Sequence, residues 1–132
     1  MKLKDCKITH ERAKELQKEY TSTRGKLLKQ HLNLNSDDVS DVTFDLKILE
    51  KYIAYVKKEA NKQGLTDLGL RVYLGSYPKN DATPNIKNPG YSTIFFMPTR
   101  QTNNNSNRSK DKVIQGVDGL NFGTGGHPPN DL

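Results

Sequence analysis

The central stretch of this chain, residues 42–98, constrains the fold most, because signals for strands alternate there with signals for one helix. Residues 42–44 are a short apolar piece that predicts a strand. Asp45 follows as a residue that can cap a helix, and Gly64 stands where a left-handed residue commonly ends one. We therefore predict a helix over residues 46–63.

The predicted helix carries apolar residues at helical spacing, which would form one seam facing a core. These residues are Leu46, Leu49, Ile53, Val56 and Ala60, with Tyr52 beside them. Phe44 before the cap and Leu49 in the second turn are placed to form a hydrophobic staple. Leu65 could contact Ala60 in a Schellman arrangement at the other end.

Two further strands are predicted. Residues 68–75 alternate with a period of two, which is typical of a half-buried strand. Its apolar face would carry Leu68, Leu70, Val72 and Leu74. Residues 91–97 are rich in strand-forming side chains, and Pro98 is expected to end that strand. The loop over residues 76–90 is long for a hairpin.

These signals predict an α+β fold with a small three-stranded, mainly antiparallel sheet and two helices packed on one face. The first helix would begin after Thr9, which can act as its N-cap, and a short helix is predicted over residues 26–32. We predict a single domain over residues 1–98 and an irregular tail, rich in Asn, Gly and Pro, over residues 99–132. Composition predicts disorder for residues 99–112, whereas residues 113–122 have enough apolar side chains to dock on the domain.

Charge is distributed unevenly along the chain. The net charge is +6, and residues 1–30 carry nine basic and four acidic side chains. A nucleic-acid-binding protein that uses this basic N-terminal helix, from Lys2 to Lys29, is therefore one alternative. The single cysteine, Cys6, excludes an intrachain disulfide, and no apolar run is long enough to span a membrane. We expect a cytoplasmic protein with no membrane partner.

The titratable side chains form no recognisable catalytic or metal-binding motif. The three histidines, His10, His31 and His127, and Cys6 lack the spacing of metal ligands. We predict no metal and no cofactor, and the sequence favours a non-enzymatic protein. A small enzyme with an unrecognised site is a second alternative, since such a site could assemble from distant residues.

The candidate binding residues lie on the polar face of the second predicted strand and beside it. Arg71 and Tyr73 share that face, Tyr77 follows across a bend, and Arg100 comes just after the third predicted strand. Arg and Tyr are common in binding sites because they offer large contact areas with polar ends. The alternative is a structural face that the tail or the first helix covers.

Several short motifs resemble those of a group of small uncharacterised proteins of Bacteroidota bacteria. They are Ile8-Thr9 and the stretches over residues 43–49, 69–75 and 93–98. The resemblance implies a similar order of helix and strands but no activity and no site residues. The sequence thus favours a macromolecule-binding or assembly module, with a protein partner or self-association, and leaves the partner open.

Overall fold

The computed structural model describes residues 1–102, 107–127 and 129–132. The chain divides into two compact units, Met1–Asp41 with Gly125–Leu132, and Val42–Thr124. Both helices and antiparallel strands are present, so the predicted α+β class is confirmed. The division into residues 1–98 and 99–132 stays a prediction.

The first unit contains helices α1 (Leu3–Cys6), α2 (His10–Tyr20) and α3 (Lys26–His31). The Thr9 hydroxyl accepts a hydrogen bond from the Arg12 backbone N–H at 3.1 Å, which confirms the predicted cap of α2. Residues 129–132 contact α2. The Gln17 side chain donates to the Asn130 carbonyl at 2.6 Å and accepts from the Leu132 N–H at 3.0 Å.

The polar residues after α2 do not interrupt the helix. A π-helical segment, Thr21–Gly25, connects α2 directly to α3. The Thr21 hydroxyl donates to the Gln17 carbonyl at 3.0 Å, and the Thr23 hydroxyl donates to the Glu19 carbonyl at 2.6 Å. These side chains bond to carbonyls of the preceding turn, and the widened turn continues α2 into α3, which the sequence predicted as a separate short helix.

The second unit is organised around one helix and a three-stranded antiparallel sheet. Its elements are β1 (Val42–Thr43), α4 (Leu46–Lys62), β2 (Leu68–Ser76), β3 (Ser92–Arg100) and β4 (Lys112–Val113). A 3₁₀ turn, Arg108–Lys110, precedes β4. The strand order is β2-β3-β4, with Leu68 opposite Arg100 and Ser76 opposite Ser92.

The predicted strand membership of the sheet is wrong in one respect. β1 pairs with β5 (Thr124–Gly125) in a separate two-stranded sheet, and β4 takes the third place beside β3. Residues 99–112, for which composition predicted disorder, supply the end of β3, the 3₁₀ turn and the start of β4. Residues 103–106 of that stretch lie outside the described residues.

Pro98 does not end the third predicted strand, since β3 continues to Arg100. Pro98 is opposite Leu70 and is almost fully buried. Its carbonyl faces β4 and accepts the Ile114 N–H at 3.0 Å. Because the side of Pro98 that lacks an N–H also faces away from β2, the proline removes no hydrogen bond between β2 and β3.

Both ends of α4 form as the sequence predicts. The Asp45 carboxylate accepts the Ile48 backbone N–H at 3.0 Å. Gly64 has φ +67°, and the Leu65 N–H donates to the Ala60 carbonyl at 3.0 Å. Of the two hydrogen bonds that define a Schellman motif, this is the one that spans six residues.

The core of the second unit lies between α4 and the segment that follows β4. Its buried members are Tyr52, Val56, Ala60, Ile114 and Val117. The apolar seam predicted for α4 is therefore shifted, because Leu46 and Ile53 are exposed and Tyr52 is buried. The Tyr52 hydroxyl donates to the Asp118 carbonyl at 2.8 Å, which joins this face of the helix to the segment after β4.

Candidate functional site

Three of the four predicted binding residues line two grooves, and the fourth stacks on an aromatic ring that lines one of them. Arg71 and Arg100 line a groove of about 640 Å³. Tyr77 lines a second groove, of about 450 Å³, together with Phe95. Tyr73 stacks on Phe95, with ring centroids 5.1 Å apart and planes 5° apart. Their joint role as a binding site stays a prediction.

Arg71 is half-buried and its guanidinium is held by the chain itself. Nη2 donates to the Asp111 carbonyl at 2.5 Å and to the Ser109 carbonyl at 3.4 Å, and Nη1 donates to the Tyr73 hydroxyl at 3.4 Å. Arg71 therefore fastens the segment before β4 to the sheet. The alternative of a structural face accounts for these contacts.

Tyr77 has a comparable role further along the sheet. Its hydroxyl donates to Oδ1 of Asn121 at 2.7 Å, and Nδ2 of Asn121 donates to the Ile94 carbonyl at 2.7 Å. The backbone of Leu120 exchanges two hydrogen bonds with Phe96, at 2.8 and 2.9 Å. The polar face of β2 is thus partly covered by the chain's own residues 109–121, which the sequence could suggest only through its apolar residues after position 112.

The apolar face of β2 is only half covered. Leu68 and Leu70 pack against the core, but Val72 is 52% exposed and Leu74 is 88% exposed. The sequence predicted all four residues on a buried face. The alternation is present, but the core cluster packs only against the first half of the strand.

β2 also lies at one edge of the sheet. Among the described residues no strand pairs with its outer side. Natural edge strands commonly carry Lys, Pro or inward-facing charges that block pairing with other chains. β2 is nine residues long, and Arg71 is its only charged residue. The sequence shows that this strand has few charges, but only the strand order shows that it lies at an edge of the sheet.

The hydrogen-bonding phase of this edge follows from the register. Phe96 is opposite Val72, but its N–H and carbonyl both form hydrogen bonds with Leu120. Val72 is therefore in a non-hydrogen-bonded pair with β3, and its own N–H and carbonyl point outward. Because such pairs alternate along an antiparallel ladder, the same holds for four more residues. They are Leu68, Leu70, Leu74 and Ser76.

Two searches of the described part of the chain were negative. None of its helices is both long and apolar enough to cross a membrane. Nor do residues 1–102, 107–127 and 129–132 contain a group of three or more His, Cys, Asp or Glu side chains placed to hold a metal ion. The cytoplasmic location stays a prediction.

Comparison with known proteins identifies no relative, since no protein-family model, curated protein or solved structure matches the chain. The resemblance to small Bacteroidota proteins stays a prediction.

Proposed function

We propose that this chain is a non-enzymatic assembly module in which β2 pairs with β2 of a second copy. The observation that carries the proposal is a nine-residue edge strand with no described partner on its outer side. That edge presents outward backbone groups and an exposed Leu74. Unpaired strand edges of this kind bind further strands through their main-chain hydrogen bonds.

The sequence of β2 supports a second copy as the partner because it is nearly self-complementary about Val72. A two-fold axis at Val72 allows all nine residues to pair in antiparallel orientation. The resulting pairs would be Val72 with the partner's Val72, Leu70 with the partner's Leu74, Gly69 with the partner's Gly75, Arg71 with the partner's Tyr73, and Leu68 with the partner's Ser76.

This register also places the exposed half of each β2 strand beside the half of the partner's strand that packs against a core. Leu74 would lie beside the partner's Leu70, which packs against the core of its own subunit. The exposed half of each strand is then continued by the helix-covered half of the other. Burial of exposed apolar side chains favours the pairing, at about 25 cal/mol for each Å² removed from water.

Electrostatics favour the same register over its neighbour. An axis at Arg71 would place two arginines directly opposite each other, which is destabilising in a sheet. The axis at Val72 places Arg71 opposite the partner's Tyr73 instead. It also pairs Gly69 with the partner's Gly75, so neither glycine lies opposite a large side chain.

A proline at position 74 tests the proposal directly. The N–H of Leu74 points outward, so Leu74→Pro removes a hydrogen bond available to a partner but none between β2 and β3. Light scattering after size-exclusion chromatography should show the wild type as a dimer and Leu74→Pro as a monomer. Leu74→Ser keeps the N–H and should weaken the dimer less than Leu74→Pro does.

Leu46→Ser is the matched control, since Leu46 is also exposed but lies on α4. It should leave the dimer unchanged. A Leu74→Pro variant that remains folded by circular dichroism and still dimerises would contradict the proposal. Loss of the dimer in Leu46→Ser with retention in Leu74→Pro would place the interface on the helix instead.

A further inference from the structure

The groove beside β4 contains three cationic side chains. Arg71, Arg100 and Lys112 line a space of about 640 Å³, together with Gln63 and Gln115 at its rim. Arg100 is opposite Lys112 in the β3–β4 ladder, so two of the cations belong to paired backbone positions. The strands thereby hold the positive charges close together.

The carboxylate in the groove does not balance these charges. Asp111 is buried, and its Oδ2 accepts hydrogen bonds from Nε of Arg108 at 2.8 Å and forms an ion pair with Nη2 of the same residue at 2.8 Å. No ion pair within the described part of the chain involves Arg71, Arg100 or Lys112. The groove therefore has a net positive charge.

One of the cations is fixed in place before any ligand arrives. The carbonyls of Ser109 and Asp111 and the Tyr73 hydroxyl hold the Arg71 guanidinium. A guanidinium has five N–H donors, and these three partners do not use all of them. Less conformational freedom is lost when such a preorganised donor binds an oxyanion.

We propose that this groove binds a small phosphorylated molecule through its phosphate oxygens. Arg100 and Lys112 lie on the sheet face of Leu68 and Arg71 lies on the face of Tyr73, and all three line this groove. Their combined charge favours a multiply charged anion, and Arg is well suited to contact several phosphate oxygens at once. The volume lies in the range of small-molecule sites. The groove shares Arg71 with the assembly proposed above but does not use the outward backbone groups of β2, so separate variants test the two proposals.

Titration of the full chain with pyrophosphate, at constant ionic strength set with chloride, tests the proposal. Isothermal calorimetry should show saturable binding by the wild type. Arg100→Gln and Lys112→Gln should each weaken binding by about ten-fold, the expected effect of losing one hydrogen bond to a charged group. Arg100→Lys keeps the charge and should recover part of that loss.

Lys57→Gln is the matched control, since Lys57 is an exposed lysine of α4 outside the groove. It should bind pyrophosphate as the wild type does, and so should the assembly variant Leu74→Pro. Failure of the wild type to bind, or an equal loss in Lys57→Gln, would overturn the proposal. Binding of a single-stranded oligonucleotide without binding of pyrophosphate would also overturn it and indicate a nucleic-acid surface instead.

Discussion

At the residue scale, Tyr52 links the stability of the second unit to pH. Its side chain is buried, and its hydroxyl donates to the Asp118 carbonyl at 2.8 Å. Burial, with smaller contributions from Tyr55 and Asp118, raises the pKa of Tyr52 from 10.0 to about 12. The neutral phenol is therefore favoured more strongly in the folded chain than in the unfolded chain.

The expected result is a loss of stability at high pH. Below pH 10 the phenol is protonated in both states. Between pH 10 and about 12 the unfolded chain loses the proton first, so the free energy of unfolding falls as pH rises. Urea denaturation at a series of pH values measures this, and Tyr52→Phe should reduce the slope in that window.

Tyr52→Phe should also cost about 1 kcal/mol at neutral pH, because it removes one hydrogen bond and retains the ring. Tyr91→Phe is a suitable comparison for the pH slope, since Tyr91 lies outside the core cluster. Identical slopes in wild type and Tyr52→Phe would contradict the assignment of this pH dependence to Tyr52.

Gly64 is the residue at which backbone conformation matters most for α4. Its φ of +67° is strained for any side chain, although a Cβ there would meet no atom within 4 Å. Gly64→Ala should destabilise the fold by about 1 kcal/mol for conformational reasons alone. Gly25→Ala, at an ordinary helical φ of −60°, should be neutral or slightly stabilising. Equal destabilisation by both changes in urea denaturation would contradict this explanation.

At the element scale, the predictability of each element follows from how local its determinants are. The ends of α4 depend on hydrogen bonds that Asp45 and Leu65 make with backbone groups of that helix, and the sequence placed both ends correctly. The buried face of α4 depends on residues 114–118, which are distant in sequence, and the predicted seam was shifted. Pro98 was wrongly predicted to end its strand for the same reason. A strand accepts a proline where the neighbouring strand needs no N–H at that position, and this depends on the pairing of distant residues.

The same distinction applies to the candidate site. The spacing of β2 showed that Arg71 and Tyr73 share a face, and Arg100 proved to line the same groove as Arg71. The sequence offered cover by the tail as an alternative, but it could not show that residues 109–121 cover part of the polar face. Nor could it show that α4 leaves Val72 and Leu74 exposed, because both facts depend on the packing of separate elements.

The proposed pairing of two β2 strands predicts a specific register. In a Cys6→Ser background, which removes the exposed native thiol, Val72→Cys should form a disulfide-linked or short-linker-bridged dimer, because the two copies of residue 72 lie at the axis. Ser76→Cys should not, since its two copies would be roughly 27 Å apart along the strands. Non-reducing gel electrophoresis distinguishes them, and efficient cross-linking of Ser76→Cys alone would refute the register.

At the scale of the whole molecule, a sheet packed against one helix has an outer strand, β2, with no partner strand on its outer side among the described residues. The first unit contains nine of the 21 Lys and Arg residues, and two of these nine already pair with acids of the same unit. Arg12 contacts Glu15 at 2.9 Å, and Lys29 contacts Asp37 at 3.0 Å. The edge strand therefore offers a more specific basis for association than the charge of the N-terminal helices.

The mass of the unmodified chain in solution tests the central claim most directly. The chain has a mass of 14.9 kDa. Sedimentation equilibrium over a range of protein concentrations should show a monomer in equilibrium with a species of twice that mass and no larger closed assembly, because pairing of the two β2 edges leaves neither edge available. A single species of 14.9 kDa at every concentration would contradict the account.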